Sequence, residues 1–169
     1  MSPAWTMFTK EGIRALHTDT HECLDIVFRH GAALPFRSLT QEIPGAPHAS
    51  VRNQMVHVLM AEAFWVSNLQ NHILDEPKPE DFSSMEELLA TKRKVMADTV
   101  AYLESLSETA LNTELTVRAK NWIGPLRAPA HILLHVMTHA FHHKGQMTMM
   151  YRILGHPIGD TDLQRAEIK

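Results

Sequence analysis

Histidine is the residue type in this sequence best suited to chemistry, with 12 copies against a single cysteine in 169 residues. His131, His135, His139 and His143 follow one another at steps of four residues. On a helix such a step turns by about 40° and rises by about 6 Å, so neighbouring rings can reach the same ion. With a third ligand from another helix, the site would keep one coordination position open to water or substrate, as catalytic zinc sites do.

Spacing alone does not select the two ligands on this helix. Imidazole nitrogen suits zinc, nickel, copper or iron, whereas calcium and magnesium need oxygen ligands. The alternative to a metal site is a row of solvent-facing histidines that pair with carboxylates. The spacing permits His131 with His135, His135 with His139, His139 with His143 and, three residues apart, His139 with His142.

A second pair of histidines, His17 and His21, also has the four-residue spacing. Acidic residues surround the pair in the sequence, among them Asp19, Glu22 and Asp25. This composition is typical of a solvated helix face. We therefore predict an exposed acidic patch here rather than a metal site.

Four long stretches with helical periodicity, separated by segments rich in turn residues, predict the elements that position these histidines. The first stretch covers about Thr9–His30 and is expected to stop at Gly31. The fourth covers about Ala128–Leu154. Gly155 supplies a left-handed stop there, and Pro157 cannot continue a helix.

The second and third stretches have recognisable first residues. Ser50 suits the N-cap of the second, which is expected to end near Asp75. The third opens with Ser83 and Glu86, whose S-x-x-E spacing predicts a capping box, and it reaches about Leu106.

Four amphipathic helices with long connections bury their apolar stripes most simply as a four-helix bundle. We therefore predict an all-α fold and a single domain over residues 1–169. In the connection before the fourth helix, polar and apolar residues alternate over Thr113–Arg118. This alternation predicts a short extended excursion that includes Leu115, Val117 and Trp122.

Composition excludes several classes of partner. The net charge of -3 and the pI of about 6.4 leave no basic field for nucleic acid. The apolar runs are shorter than the roughly 20 residues that cross a bilayer, and Met1–Lys10 does not resemble an export signal. Cys23, alone in a helical stretch, predicts a buried thiol in a reducing compartment. We expect a cytoplasmic protein.

Two groups of residues together form a recognisable pattern. The first comprises Ser50 and Val51 at a helix start, His57 seven residues after the serine, and Ala61 and Glu62 before Trp65. The second is the run from Leu134 to Gln146, followed by Tyr151, Arg152 and Gly155. On these residues, nearly the whole chain resembles the DinB-like family of metal-binding four-helix bundles. That family is related to thiol-dependent transferases and maleylpyruvate isomerases.

The resemblance implies which histidines bind the metal. In proteins of this kind one ligand lies on the second helix and two lie four residues apart on the fourth, which implies His57, His139 and His143 here. Zinc is the metal expected first, with nickel, iron or manganese as alternatives. Thr138 and Lys144 stand where the family often has Asn and Arg, which affects only the groups around the ligands.

The resemblance also implies a function. We expect a metal-dependent enzyme that activates a water or a low-molecular-weight thiol for transfer or hydrolysis of a small-molecule substrate. The alternative is a non-catalytic metal-binding or stress-associated protein, because a shared fold does not determine a reaction. The resemblance further implies a homodimer.

The sequence leaves two roles open for the other polar residues of the pattern. Glu62 and Gln146 either support the ligands or are ordinary helix-surface or capping residues. His135 and His142 are expected to pack against neighbours or support the ligands rather than bind the ion.

Overall fold

The fold is a bundle of four long helices in a computed structural model that describes residues 8–72, 74–115, 118–119, 122–123 and 127–163. In chain order its helices are α1 (Lys10–Ala32), α2 (Phe36–Leu39), α3 (Val51–Leu69), α4 (Met85–Ser105), α5 (Glu108–Asn112) and α6 (Pro129–Ile153). A 3-10 turn (Pro79–Asp81) precedes α4. The predicted all-α bundle with long connections is confirmed.

The four long helices α1, α3, α4 and α6 pack in a ring. α3 lies beside α4 and α6, and α1 lies beside the same two helices. α1 and α3 therefore face each other across the interior of the bundle. Side chains from facing helices meet in the core, where bundle proteins commonly build their sites.

Side-chain caps begin α1 and α3 at the predicted positions. The Thr9 hydroxyl accepts a hydrogen bond from the Gly12 amide, and the Ser50 hydroxyl accepts one from the Asn53 amide. Each bond satisfies an amide that has no partner within its helix. Because Ser50 is the N-cap of α3, it sets the residue at which the helix begins and so the position of each later side chain along it.

The cap of α4 lies one residue later than predicted. The capping box joins Ser84 and Glu87, whereas the sequence analysis proposed Ser83 and Glu86. Both pairs have the S-x-x-E spacing. The Glu87 carboxylate also accepts hydrogen bonds from the amide and hydroxyl of Ser83, which explains the choice.

The prediction that Gly31 stops α1 is wrong. Gly31 is buried inside the helix, which continues to Ala32. A Cβ on Gly31 would lie 2.5 Å from the Tyr151 hydroxyl oxygen and 3.1 Å from Cε of Met55. Glycine is needed here because the side chains of Tyr151 on α6 and Met55 on α3 reach the backbone of α1. It is not needed for a turn of the backbone.

Other helix ends match the predictions in part. Gly155 adopts the left-handed conformation (φ 81°) that was predicted to end α6. α3 ends at Leu69, earlier than Asp75, and Asn71 follows it with a φ of 55°. The predicted excursion is a short antiparallel pair of strands, β1 (Arg118–Ala119) and β2 (Trp122–Ile123). It begins at a bridge between Leu115 and Arg127, and Val117 lies outside the described residues.

The buried apolar side chains of the core form two clusters that share no residue. The largest fully buried side chains include Phe28, Leu59 and Tyr151. Cys23 is fully buried, as predicted. Within the described part of the chain, no helix has both the length and the apolar character needed to cross a membrane.

Candidate metal centre

The structure brings His57, His139 and His143 together. His57 lies two turns into α3, and the other two lie one turn apart on the neighbouring α6. The ring centroid of His57 lies 5.0 Å from that of His139 and 4.5 Å from that of His143. The centroids of the two α6 rings are 4.3 Å apart. One nitrogen from each ring lies within 4.8 Å of the others. Three imidazoles that converge in this way form a donor set suited to a transition metal.

The cluster is partly accessible. His57 and His139 are half-buried, and His143 is 6% exposed. The site therefore lies at the edge of the α3–α6 contact and has one side near solvent.

Gln54 determines which nitrogen of His143 is available. Its Nε2 donates to the carbonyl of Pro47 at 2.7 Å and to Oε1 of Gln146 at 2.8 Å, so both amide hydrogens are used. Its Oε1 lies 2.7 Å from Nδ1 of His143 and must accept. Because Nδ1 of His143 carries the hydrogen, Nε2 keeps its lone pair for an ion.

The three rings remain neutral at ordinary pH. Burial, followed by the neighbouring rings of His48 and His139, lowers the pKa of His57 to about 4. Burial, followed by His139 and His57, lowers the pKa of His143 to about 4. Burial, followed by the neighbouring rings of His135, His142 and His48, also lowers the pKa of His139. Neutral imidazole is the form that binds a metal.

His48 belongs to the same cluster, although sequence reasoning missed it. Its ring stacks on that of His57, with centroids 3.8 Å apart and planes 20° apart. It lies 5.9 Å from the ring of His143. His48 precedes α3 in a loop and has a φ of 49°, a conformation that no sequence period predicts. Gln54 was missed too, although a glutamine between the apolar Val51 and Met55 was a usable signal.

The alternative α6 pairs are not assembled in the same way. His131, His135 and His142 are exposed, and none belongs to a group of metal-ligating atoms within the described residues. His135 packs edge-on against Trp65. His142 accepts a hydrogen bond from Gln146 Nε2 at 2.8 Å. Gln146 thus links His142 to Gln54, a contact that fits the first of the two roles considered for it, support of the ligands.

The prediction of a solvated face around His17 and His21 is wrong. Both rings are buried, at 3% and 1% exposed, and point into the bundle together with Leu24 and Phe28. Their acidic neighbours Asp19 and Glu22 occupy the exposed face of α1. Residues adjacent in sequence point in directions about 100° apart on a helix. The acidic residues next to His17 and His21 in the sequence therefore lie on a different face of α1 from the two rings.

Glu62 is the partner of these two rings and is not a helix-surface residue. It is 3% exposed, and its Oε1 and Oε2 lie 2.8 and 3.0 Å from Nε2 of His17 and of His21. The Thr99 hydroxyl donates to Oε1 at 2.6 Å. Burial raises the pKa of Glu62, but the hydrogen bonds from His17 and His21 outweigh it and hold that pKa well below its usual range. The chain therefore contains a second cluster of metal-ligating groups, formed by His17, His21 and Glu62.

Comparison with known proteins adds one finding. The sequence model of the DinB family matches residues 15–168, which include both histidine clusters. A search of curated proteins found none that matches.

Proposed function

The chain belongs to the DinB family, and we propose that it is an enzyme whose chemistry depends on a divalent metal held by His57, His139 and His143. In this proposal a water or a low-molecular-weight thiol is activated for transfer to, or hydrolysis of, a small-molecule substrate. Zinc is the preferred ion, with nickel, iron or manganese as alternatives.

The observation that carries the proposal is the convergence of three neutral imidazoles at a partly exposed edge of the bundle. A closed structural zinc site uses four protein ligands, commonly with cysteine. Here the described residues offer three histidines, and the fully buried Cys23 on α1 is absent from the group. A three-ligand site keeps a position for a substrate or nucleophile.

The ion would supply one chemical effect when bound: it would lower the pKa of a water or thiol beside it. The residues of this chain contribute positioning. Gln54 orients the His143 ring, and the ring of His48 covers one face of His57. The lowered pKa values keep the three rings uncharged, so each ring has one nitrogen with a free lone pair for an ion at neutral pH.

A groove beside the cluster is suited to a substrate with an apolar part. It has a volume of about 380 Å³ and shares Gln54, the hydrogen-bond partner of His143, with the site. Its polar lining residues are Gln54, Gln146 and His142. The remaining lining residues are apolar or glycine: Ile43, Ala46, Pro47, Gly145, Met149, Met150 and Ile153. None of the described residues that line it is charged, which favours an uncharged group.

The test joins metal content to activity. Purified protein is analysed for bound metal, stripped with a chelator and reloaded with zinc. Thiol transfer is then assayed with several low-molecular-weight thiols and electrophiles, and hydrolysis is assayed with simple esters and amides. We expect activity to disappear with the metal and to return with zinc. Activity that survives removal of the metal would contradict the mechanism.

The matched control is His135→Ala, which removes an exposed histidine one turn from His139. It should retain the activity of the wild type, whereas His139→Ala should lose it. Full metal loading without activity toward any of these substrates would favour the alternative of a non-catalytic metal-binding protein.

We also propose that the protein is a homodimer, as the family resemblance implies. Met149 and Ile153 lie four residues apart on α6, are 55% and 58% exposed, and also line the groove described above. A second copy that packs along the rim of this groove would cover both side chains. Light scattering coupled to size exclusion measures the mass directly, and a monomer at micromolar concentration would contradict the proposal.

A further inference from the structure

The cluster of His17, His21 and Glu62 lies in the interior of the bundle, away from the three-histidine site. Its members come from α1 and α3, which face each other across the core, and Thr99 of α4 completes it. The clusters share no residue. Glu62 lies five positions after His57, which on a helix is a rotation of about 140°, so the two side chains leave α3 in different directions.

Hydrogen bonds with other described protein groups pair only one nitrogen of each of the two buried rings. Among the residues that the structure describes, neither Nδ1 of His17 nor Nδ1 of His21 has a hydrogen-bond partner, although both atoms are buried. Buried polar atoms are nearly always paired, and a partly satisfied buried network destabilises a fold relative to an apolar core. A bundle that needed only stability would be better served by apolar side chains here, which suggests that the cluster has another role.

The charge of the cluster also calls for a cation. Glu62 is an anion in the folded protein, because the low pKa described above keeps it ionised. Lys92, a buried cation on α4, is paired with Asp25 at 2.8 Å. A divalent ion at the cluster would compensate the charge of the Glu62 carboxylate.

The donor atoms suit a metal ion. Two imidazoles and a carboxylate are the protein ligands of one common class of catalytic zinc sites. Two ligands of a single tetrahedral zinc ion lie about 3.3 Å apart, because each bond is about 2.0–2.2 Å long. Nε2 of His17 and of His21 already lie 2.8 and 3.0 Å from the Glu62 oxygens. These two distances are within about half an ångström of that separation, and the donor atoms of all three residues lie within 4.8 Å of one another.

We infer that His17, His21 and Glu62 form a second site for a divalent transition metal, enclosed in the bundle and separate from the three-histidine site. The ligating atoms are Nε2 of each histidine and a carboxylate oxygen of Glu62. Any proton on a ligating nitrogen leaves to solvent or moves to Nδ1 when the ion binds. Because the ligands are buried and come from two long helices, the ion links opposite sides of the bundle.

The first experiment leaves this cluster intact. The variant His57→Ala with His139→Ala removes two ligands of the other site. Metal-free variant is titrated with Zn²⁺ by calorimetry and heated with and without Zn²⁺. We expect it to bind one zinc ion per chain and to melt at a higher temperature with zinc, since an ion that binds only the folded state stabilises it. No binding and no shift would overturn the inference.

The second experiment identifies the ligands in the same background. His17→Gln and His21→Gln keep an N–H that donates to Glu62 but remove the imidazole lone pair, and each should abolish the remaining zinc binding. Thr99→Val removes a hydrogen bond but no ligand, and it should retain the ion. Circular dichroism checks that each variant is folded. If folded His17→Gln binds zinc as well as its parent, the cluster is a metal-free network.

These results separate the two sites. Activity that does not depend on His139 would contradict the enzyme hypothesis. That result would not depend on whether zinc binds to His17 and His21. Failure of the second site would leave the activity measurements on the three-histidine site unchanged.

Discussion

Gln54 accepts a hydrogen bond from Nδ1 of His143 at 2.7 Å, and this bond joins the buried face of α3 to the candidate metal centre. Gln54 is fully buried and anchored on both amide hydrogens, so it cannot rotate to donate to the ring. The ring of His143 is thus held in one tautomer and one orientation before any ion binds. Such preorganisation increases the affinity of a metal site.

Replacement of Gln54 should weaken metal binding without removing a ligand. Gln54→Leu takes away the acceptor, so Nδ1–H of His143 loses its partner and the ring can turn. We expect zinc affinity to fall by about 10- to 100-fold, the range measured for such outer-shell partners. Competition with a chromophoric chelator measures the zinc affinity of each variant. The zinc that His57→Ala no longer binds identifies the three-histidine site in this measurement.

Two comparison variants sharpen this prediction. Gln54→Glu keeps an acceptor for His143 and should lose less affinity than Gln54→Leu. Gln146→Leu removes only the next bond outward and should have the smallest effect of the three. Equal affinity in Gln54→Leu and the wild type would show that the hydrogen bond does not matter for the ion.

Removal of the ligands should abolish binding at this site and leave the helices intact. His57→Ala and His143→Ala each take one nitrogen from the trio, and neither ring contributes to the large apolar clusters of the core. We expect metal analysis to show the loss of one ion per chain, with an unchanged helical spectrum. His135→Ala is the control, because the spacing of His135 and His139 permitted that pair as well. Loss of the ion in His135→Ala but not in His143→Ala would reverse the assignment.

A methyl group on Gly31 should destabilise the bundle because the Tyr151 hydroxyl occupies its space. We expect Gly31→Ala to lower the free energy of unfolding by about 1–3 kcal/mol, the usual range for overpacking. In a Tyr151→Phe background the same change should be less harmful, since the oxygen is gone. Tyr151→Phe alone loses the bond to the Val27 carbonyl, at a cost of about 1 kcal/mol.

Chemical denaturation of the wild type, Gly31→Ala, Tyr151→Phe and the double variant gives four free energies of unfolding. Together they form a double-mutant cycle that isolates the contact between residues 31 and 151. Gly145→Ala is the matched control, because a Cβ there would have no atom within 4 Å. It should be neutral or slightly stabilising, as alanine is on exposed helix positions. Additive effects of Gly31→Ala and Tyr151→Phe would contradict the proposed overlap.

The metal-free protein should lose stability as the pH falls from about 6.5 towards 4. The pKa of His57 and of His143 is about 4 in the folded state, against 6.5 for an unperturbed histidine. Between these values the unfolded chain binds protons that the folded chain does not, so acid favours unfolding. Above pH 6.5 both states are neutral at these residues, and their contribution no longer changes.

Urea denaturation of metal-free protein at several pH values from 7.5 to 4.5 measures this effect. Wild type should lose more free energy of unfolding across the range than His57→Gln, which lacks one of the shifted groups. An identical pH dependence of the two proteins would show that burial of His57 does not shift its pKa.

The amino-acid sequence by itself determined the helices and much of their ends. Periodicity and end signals such as Ser50 and Gly155 act over a few residues, so they can be read without knowledge of the fold. The family resemblance then selected His57, His139 and His143 from several permitted combinations. The structure brings those three rings together, and the metal remains to be tested.

Only the tertiary structure decided which polar groups are buried. His17 and His21 looked solvated because of their acidic neighbours, and the distant Glu62 and Thr99 define their true surroundings. The role of Gly31 depends on Tyr151 of another helix, and the position of His48 depends on a loop conformation. Burial and contact arise from residues far apart in the chain, and a single sequence records which residues those are but not which of them meet.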